Sequence, residues 1–589
     1  MPFDGITVRA RAQELNADLL DARIDKIHQP EKDEIVLSIR QHLTGSVKLL
    51  ISANARWARL NISTDRQPNP SKPPTFCMLL RKYLEGGKIK EIKQVNFDRI
   101  IHIRIEALDD FRDWKDKLLI CEFMGKHSNI ILVNPENNII IDAIKKYSHA
   151  VSSFREVLPG KEYVSPPSQD KLNPLLTSYD QFVAAMWNQS TKKSLAASLF
   201  EAYSGISPFS AQQICQVNGL DPDTAVDECG EFEFSKMYTF IKKMLESIDH
   251  GSFEPVVYYQ GNNPLEYAIS EIPWPTSDVK AIRFPSVNLA CDNFYSTKLA
   301  MVRLESMKTN LLRNLKVFLD KACKKRFLQE GDVVKAHQNE ILRVWGELIT
   351  AYSHLLKKGD TEATLTDFYS GEEITINLDP RYNPIQNAQK YFKTYNKGQR
   401  ALKHLEKLMA QNQQEIDYLE TIAVSIKQAE SIQEINEIIF EMEKQGYIKG
   451  NSHTRNKLEK SQPRSYNSSD GLEILVGRNN YQNDILTLKE SSKNDLWLHT
   501  KDTPGTHVIV RLPRGTNDIN QVPDATLEEA AALAAYYSKA NQSDKVEVDY
   551  TFRFNVRKPS GAKPGMVIYD DYWTIIANPR SEIIDRLVK

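Results

Sequence analysis

The chain has 589 residues, which is enough for three to five domains of ordinary size. Its 76 Lys and Arg nearly balance 77 Asp and Glu, so bulk charge does not indicate nucleic-acid binding, and any such contact must use local basic patches. The 6 scattered Cys form no C-x-x-C pair, which argues against a disulfide framework or a zinc site. No apolar run approaches the roughly 20 residues of a membrane span. We therefore expect a cytoplasmic protein.

Residues 1–170 predict a mixed α/β domain dominated by strands. Apolar and polar residues alternate in segments such as DEIVLSIR, VKLLIS and IIHIRIEAL, with turn signals between them. After a Pro-rich break, TFCMLLRKYLEGGKI predicts one helix that ends at Gly86 and Gly87.

Two turns of this domain carry polar side chains. Asp98 and Arg99 lie where one strand ends and the next begins, and they either form a surface ion pair worth about 0–1 kcal/mol or present the guanidinium to a phosphate or base edge. The second turn offers donors for an RNA phosphate or 2′-OH, or is simply a hairpin loop. Its residues are Gly125, Lys126, His127, Ser128 and Asn129.

Residues 171–290 predict a helix-hairpin-helix domain and a few connecting strands. The segment SLFEAYSGISPFSAQQICQVNG indicates two helices with Gly205 at the turn between them. Free N–H groups at the start of the second helix, beside Ser207, would form a phosphate cradle. The alternative is a helical hairpin without a ligand.

Residues 291–445 predict a long antiparallel coiled-coil arm with a tip at 358–386. Apolar residues repeat in three-four alternation over about 296–345 and 387–426, neither of which contains Pro. The repeat includes Leu304, Leu311, Leu315, Leu402, Ile416 and Leu419. The tip predicts a small strand pair, and the alternative for the whole segment is two ordinary helices in a bundle.

A basic, Ser- and Asn-rich linker at 446–469 precedes a last α+β domain at 470–589. Here VEVDYTFRFNV alternates throughout, which predicts one strand from Val546 to Val556. The segment PDATLEEAAALAAYYSKA predicts a helix opened by a Thr526/Glu529 capping box. A final hairpin is predicted for MVIYDDYWTIIA, with its turn at Asp570-Asp571.

Basic and polar residues of the last domain cluster around two glycine-containing loops, where they are suited to RNA phosphates. They are His499, Lys501, His507, Arg511, Arg557, Lys558 and Lys563. The two histidines share a hairpin without a third metal ligand nearby in sequence, so we interpret them as polar contacts and expect no metal site. The chain contains no Walker-type, H-E-x-x-H or G-x-S-x-G motif, which lowers the expectation of an enzyme without excluding one.

Long motifs along nearly the whole chain resemble the NFACT family. They are FDGI, PPTFCMLLRKYLEGGKI, the FDR turn, EFMGKHSNIILVN, GISP, LDP followed by NAQKYFKTYNK, ILVGRNNYQND, DLWLHTKDTPGTHVIVR and VRKPSGAKPGMVIY. This family contains the ribosome quality-control factors called RqcH in bacteria and NEMF in animals, also labelled fibronectin-binding protein A-like. The resemblance implies a glycosylase-like N-terminal domain, a helix-hairpin-helix domain, a middle coiled coil and a C-terminal RNA-binding domain.

The resemblance also implies a monomeric factor with no cofactor or catalytic site of its own. Such factors bind large ribosomal subunits that still carry peptidyl-tRNA, through ribosomal RNA and proteins, and bacterial members recruit alanine tRNA. They promote untemplated C-terminal alanine tails, while ribosomal RNA makes the peptide bond. The family's Asp-Arg pair, implicated in tRNA engagement, falls on Asp98 and Arg99, and its GKHSN turn falls on Gly125 to Asn129.

Some positions depart from the family pattern. Thr506 stands where Ser is common, and Asn555 takes a place often held by His, which leaves that RNA contact in doubt. The N-terminal domain also resembles formamidopyrimidine DNA glycosylases, whose nucleophile is an N-terminal Pro, but Phe3 follows Pro2 where those enzymes need Glu. Two alternatives therefore remain: a fibronectin-binding surface adhesin, which would need export, and a DNA glycosylase or lyase.

Overall fold

The computed structural model describes residues 3–41, 45–64, 68–109, 111–150, 152, 154–167, 170–188, 193–272, 274, 276–449, 461–580 and 582–588. Pro2, on which a lyase would depend, and residues 450–460 of the predicted linker lie outside these ranges. The chain divides into two compact units, Met1–Met301 and Val302–Lys589. No helix within the described ranges is long and apolar enough to cross a membrane.

The first unit is built on an antiparallel sheet of nine strands. Its elements are α1 (Gly5–Leu19), β1 (Arg23–His28), β2 (Glu34–Gln41), β3 (Gly45–Ser52), β4 (Arg59–Ile62), α2 (Thr75–Leu84), β5 (Lys88–Gln94), β6 (Ile100–Leu108), β7 (Trp114–Glu122), β8 (Asn129–Asn134) and β9 (Ile139–Ala143). The strands pair in the order β4-β3-β2-β1-β5-β6-β7-β8-β9. Alternate isoleucines of β6, such as Ile101, Ile103 and Ile105, are buried against α1 and α2, as the period of two predicts.

A helical group and a small sheet complete this unit. They comprise α3 (Tyr179–Trp187), α4 (Leu195–Ala202), α5 (Pro208–Val217), α6 (Glu231–Asp249), β10 (Val256–Gln260), β11 (Asn263–Ala268) and β12 (Val279–Arg283). The predicted helical hairpin is α4–α5. Ser207 caps α5 through its hydroxyl, and Pro208 occupies the first helical position.

The backbone turns of three separate segments meet at one place in the first unit. Gly5 N donates to Gly205 O over 2.6 Å, and Gln94 Nε2 donates to Gly5 O over 2.8 Å. Gly205 has φ +72°, and a Cβ there would lie 2.1 Å from Phe97 O. Phe97 itself has φ +60°, which is rare for a bulky residue, and its buried ring packs in the helical core. The start of α1, the β5–β6 turn and the α4–α5 turn therefore hold one another in place.

The second unit begins with the helices of the predicted coiled coil. Its first helix, α7 (Val287–Gln338), begins in the first unit and continues into the second after Met301. The elements that follow are α8 (Glu340–Ala351), β13 (Glu362–Thr366), β14 (Glu373–Asn377), α9 (Pro384–Gln428) and α10 (Ile432–Lys444). Asn412 Nδ2 donates to Ala322 O over 2.9 Å and Lys308 Nζ donates to Lys427 O over 3.3 Å, so α7 and α9 run antiparallel. The predicted pairing is confirmed, although the first helix is broken at Asn339, where α8 begins and packs against the β13–β14 hairpin.

The C-terminal domain forms a six-stranded sheet with a helix on one face. It consists of β15 (Arg464–Asn467), β16 (Glu473–Val476), α11 (Asn480–Ile485), β17 (Leu496–Thr500), β18 (Val508–Val510), α12 (Asp524–Tyr536), β19 (Val546–Phe552), β20 (Val556–Arg557), β21 (Ile568–Tyr569), β22 (Trp573–Ala577) and α13 (Glu582–Val588). The order of the six strands is β15-β16-β18-β17-β19-β22. Part of the predicted linker at 446–469 is thus the edge strand β15.

Three local predictions for this domain are wrong. The strand predicted to Val556 ends at Phe552, because residues 553–555 form a 3-10 turn that leaves the Phe554 side chain 54% exposed. The predicted final hairpin does not form, since β21 pairs with β20 and β22 pairs with β19. The capping box is absent as well, because α12 begins at Asp524 and the Thr526 hydroxyl donates to Asp470 Oδ2 instead.

We predict that Gly205→Ala destabilises the first unit more than Gly219→Ala, although both glycines have nearly the same φ, +72° and +73°. Nothing lies within 4 Å of a Cβ at Gly219, so that variant should be destabilised only by the left-handed strain of a residue with a Cβ, about 1–2 kcal/mol. A Cβ at Gly205 must also displace the Phe97 carbonyl, which adds about 1–3 kcal/mol. Calorimetric scans of the full-length variants measure the difference, and equal shifts in melting temperature would contradict the close approach.

Candidate nucleic-acid interface

Asp98 and Arg99 lie in the β5–β6 turn, and their side chains differ in what they contact. The Asp98 carboxylate accepts from Arg99 N over 2.7 Å, and Arg99 O accepts from Phe123 N over 2.8 Å. The backbone around Arg99 is therefore fixed on both sides. The side chain of half-buried Arg99 has no hydrogen bond or ion pair with any residue that the structure describes, so the Asp98–Arg99 ion pair, one of the two alternatives, is not formed. The fork of N–H donors remains available to a ligand.

The second predicted turn joins β7 to β8 at the same end of the sheet, because β5, β6, β7 and β8 are consecutive antiparallel neighbours. Lys126 and His127 are exposed in a 3-10 turn. Ser128 and Asn129 are buried, so they do not face solvent as a loop would. Asn129 Oδ1 accepts from Lys145 N over 3.0 Å and from Ile130 N over 2.9 Å, which fixes the backbone of the turn.

A buried ion pair supports this turn from beneath. Both guanidinium nitrogens Nη1 and Nη2 of Arg155 donate to Glu122, at 2.8 Å and 2.6 Å, and the Tyr163 hydroxyl donates to Glu122 Oε1 over 2.9 Å. The two buried charges are therefore paired with each other, and loss of either partner would leave a costly unpaired ion in the interior. Burial, then the neighbouring Glu122 carboxylate, raises the pKa of Tyr163 well above its usual value, so its phenol remains a donor.

A third turn, between β3 and β4, reaches the same place and was not among the sequence-predicted sites. A Cβ on Gly125 would lie 3.7 Å from Ala55 O, and the Arg56 guanidinium lies 5.0 Å from the centre of the Trp57 ring. Asn54 Oδ1 accepts from the backbone N–H groups of Arg56 and Trp57, at 3.0 and 3.1 Å. The N-A-R-W sequence is an Asx turn, but nothing in the linear sequence places it beside residues 70 positions away.

The predicted phosphate cradle at Gly205 and Ser207 is occupied by a carboxylate of the chain. Asp4 Oδ2 accepts from Ser207 N over 3.3 Å and from the Ser210 hydroxyl, while Asp4 Oδ1 caps α1 by accepting from Thr7 N over 3.1 Å. An anion at a helix N-terminus satisfies the free N–H groups. Here that anion is Asp4, and the cradle gains no support as a ligand site.

The basic residues predicted for the C-terminal domain are mostly paired with carboxylates. The pairs are Lys501–Glu547, Arg511–Asp495, Arg557–Asp570, Lys558–Asp484 and Lys563–Glu415. The Arg557 side chain is 67% exposed, and a pair so exposed is worth little, so phosphate can replace its partner at small cost. Arg511 also donates to Glu490 O over 2.7 Å, which makes it a structural residue.

His499 and His507 lie side by side and behave as neutral groups. His507 is buried, and its Nδ1 lies 2.7 Å from the Thr487 hydroxyl. Burial, followed by the neighbouring His499, lowers the pKa of His507 to about 3. Burial also lowers the pKa of His499, whose ring stacks on Trp497 with centroids 5.9 Å apart. Neutral imidazoles do not attract phosphate, so these two histidines lack the charge expected of phosphate-binding side chains.

Family models and known relatives cover the chain from end to end. NFACT N-terminal and middle domains match residues 4–461, and the NFACT protein RNA binding domain matches residues 462–571. The chain is 34% identical to "Rqc2 homolog RqcH" of Bacillus subtilis (strain 168) over 594 aligned positions, with 100% of both chains covered. It is 36% identical to "Rqc2 homolog RqcH" of Streptococcus suis (strain 05ZYH33), with 99% of each covered. A solved N-terminal part of the fibronectin/fibrinogen-binding protein from Streptococcus suis is 30% identical, covers 50% of this chain and 99% of that chain, and has a TM-score of 0.41.

The β7–β8 turn contains both buried and exposed residues, and substitutions at the two kinds of position should differ in their effect on stability. We expect Asn129→Ala to lower the free energy of unfolding by about 2–4 kcal/mol, because it leaves buried backbone groups without partners. The exposed neighbour provides the control, since Lys126→Ala should change stability by less than about 0.5 kcal/mol. Urea titrations of both variants test this, and a stable Asn129→Ala protein would show that the turn does not depend on that amide.

The C-terminal domain should lose stability as pH falls below about 6.5, because the unfolded chain then protonates His507 while the folded chain, with a pKa of about 3, does not. The stability that the neutral His507 contributes is complete above pH 6.5 and decreases between 6.5 and 3. From pH 7 to pH 5 the expected loss from this one residue is about 2 kcal/mol.

Denaturant titrations at pH 7 and pH 5 measure this loss. The variant His507→Gln, which keeps a polar group beside Thr487, should show a smaller pH dependence than the unsubstituted protein. An unchanged pH dependence would assign the effect to other groups.

Proposed function

The chain belongs to the NFACT family, and from this premise we propose that it is a ribosome quality-control factor. It acts in the cytoplasm on large ribosomal subunits that still carry peptidyl-tRNA after a stalled ribosome has split. There it recruits alanine tRNA and promotes untemplated alanine tailing of the stalled chain. The peptide bond is made by ribosomal RNA, so the protein contributes binding and positioning rather than a catalytic residue.

One observation carries the assignment of the tRNA site: the backbone of Arg99 is fixed on both sides while its guanidinium has no partner among the described residues. An unpaired guanidinium on a fixed stretch of backbone suits a phosphate or a base edge, because binding breaks no existing ion pair. Asp98 positions this residue by accepting from its backbone N–H.

The neighbouring turns extend the proposed site. Lys126 and His127 are exposed and directly follow Gly125, which approaches Ala55 of the turn that continues to Arg56 and Trp57. Cations contact phosphates without regard to sequence, while an aromatic face such as that of Trp57 can stack on an unpaired base. An anticodon or other tRNA loop offers unpaired bases between phosphates, so it suits this mixture better than a regular duplex does.

We predict that Asp98→Ala combined with Arg99→Ala abolishes alanine tailing and leaves the fold intact. The test uses tagged proteins purified from translation-stressed cells, with sequencing of the RNA that accompanies them. The unsubstituted protein should carry large-subunit rRNA and one strongly enriched tRNA, and the double variant should retain the rRNA but lose the tRNA.

The matched control is Arg104→Ala on the adjacent strand, whose side chain forms surface ion pairs with Glu91 and Asp116 and with no other described residue. This variant should tail stalled peptides normally. Normal tailing by the double variant would refute the role given to Asp98 and Arg99, and absence of rRNA from the unsubstituted protein would refute the proposed function as a whole.

A further inference from the structure

The second unit contains a cleft of about 420 Å³ between α9 and the loops of the C-terminal domain. This volume is in the range of small-molecule binding sites. One wall is formed by α9, which is fixed to the domain because Asn480 Nδ2 donates to Thr421 Oγ1 of α9 over 3.1 Å. The same amide donates to Glu441 Oε1 of the following helix α10 over 2.8 Å. The other wall is formed by β17, the loop that follows it and the segment before β21. The cleft is therefore preformed by contacts within one unit.

The lining combines aromatic rings with carboxylates. Half-buried His499 and Tyr569 line it together with Trp497, whose ring lies 4.8 Å from that of Tyr569. Asp417 and Asp502 supply the carboxylates, and none of the described residues of the lining is Lys or Arg. A phosphate would be repelled here, whereas a flat ring that donates hydrogen bonds would be favoured.

Two polar groups in the lining have unused hydrogen-bonding capacity. Asp417 Oδ1 accepts from Gln413 Nε2 over 2.6 Å, and its second oxygen has no donor among the described residues. The indole N–H of Trp497 is buried and likewise finds no acceptor in the described part of the chain. An unsatisfied buried donor costs about 1–3 kcal/mol, and this one belongs to a ring that lines the cleft.

The geometry points to a binding site for one unpaired RNA base that carries an exocyclic amino group, inserted between α9 and the loop after β17. This inference rests on the proposed function, since RNA is the expected ligand of this domain. The base would stack on the aromatic wall and donate its amino group to Asp417. Adenine, cytosine and guanine offer such a donor, whereas uracil presents carbonyl acceptors on both sides of its single N–H.

The surrounding residues fit a base that enters from a bound strand. Lys501 lies between Thr500 and Asp502 of the first lining segment, and Lys563 directly precedes Pro564 of the second. Both lysine side chains are only partly buried. They can hold the flanking phosphates while the base enters a cleft without cations. Readout of a single base in a pocket, with phosphates held outside, is a common way to bind single-stranded RNA.

The test compares four RNAs of equal charge, so that phosphate contacts cancel. They are a nine-residue oligouridylate and three versions in which the central uridine is replaced by A, C or G. Fluorescence anisotropy with the full-length protein at fixed salt should show about 5-fold or greater preference for at least one amino-bearing base over uridine. The variant Asp417→Asn should reduce that preference to less than about 2-fold, because an amide can also donate to a uracil carbonyl.

Two further variants keep the test decisive. Asp332→Asn, an equivalent change at an exposed position of α7, should leave the preference unchanged. Thr503→Phe places a ring in the cleft without removing the backbone carbonyl that holds Thr500, and it should abolish the preference as well.

The outcomes separate this inference from the proposed function. Equal affinities for all four RNAs, or no binding of any of them, would overturn the base site, and a cleft that instead takes a peptide would give the same result. Large-subunit rRNA would still accompany the purified protein if only the base site were wrong. If the protein showed no base preference and also carried no large-subunit rRNA, the proposed function would be wrong as well.

Discussion

The N-terminal unit depends on a backbone contact that has no room for a side chain. Gly5 and Gly205 meet the carbonyl of Phe97, and the Phe97 ring is buried in the helical core. Burial of such a ring contributes about 1.5–3 kcal/mol, which offsets the left-handed conformation of the turn. This conformation precedes Asp98, whose carboxylate accepts from the backbone N–H of Arg99. The Arg99 guanidinium then has no partner among the described residues. The position of the proposed tRNA site therefore follows from how three distant segments pack.

The two halves of the chain use charge in different ways. At the end of the N-terminal sheet, Arg99 and Lys126 have no carboxylate partner among the described residues, and the buried Arg155–Glu122 pair supplies rigidity beneath them. In the C-terminal domain, Lys558 and Lys563 are each paired with a carboxylate. Ligand binding to the first surface forms new ion pairs, whereas binding to the second exchanges existing ones. The second surface should accordingly discriminate more through its cleft, whose lining holds carboxylates and no Lys or Arg, than through its cations.

Local sequence signals failed where a distant partner offered more stabilisation. Asp570-Asp571 is a plausible hairpin turn, yet β22 pairs with β19 because this pairing extends the six-stranded sheet and lets the Thr574 hydroxyl donate to buried Asp549. Thr526 and Glu529 have capping-box spacing, but both side chains form hydrogen bonds with residues 468–470 instead. At the turn predicted as a phosphate cradle, the partner of Ser207 N is likewise remote, since Asp4 lies 203 positions away.

The sequence by itself determined the elements whose signal is periodic and long: the strands of the first sheet, the antiparallel pair of α7 and α9, and the order of the domains. Periodicity is legible because burial of one face repeats along a single segment. Tertiary structure alone decided which polar residues are available. It buried Ser128 and Asn129, paired most basic residues of the last domain, and placed Ala55 beside Gly125. The accessibility of a polar group depends on the partners that folding places beside it, and those partners are remote in sequence.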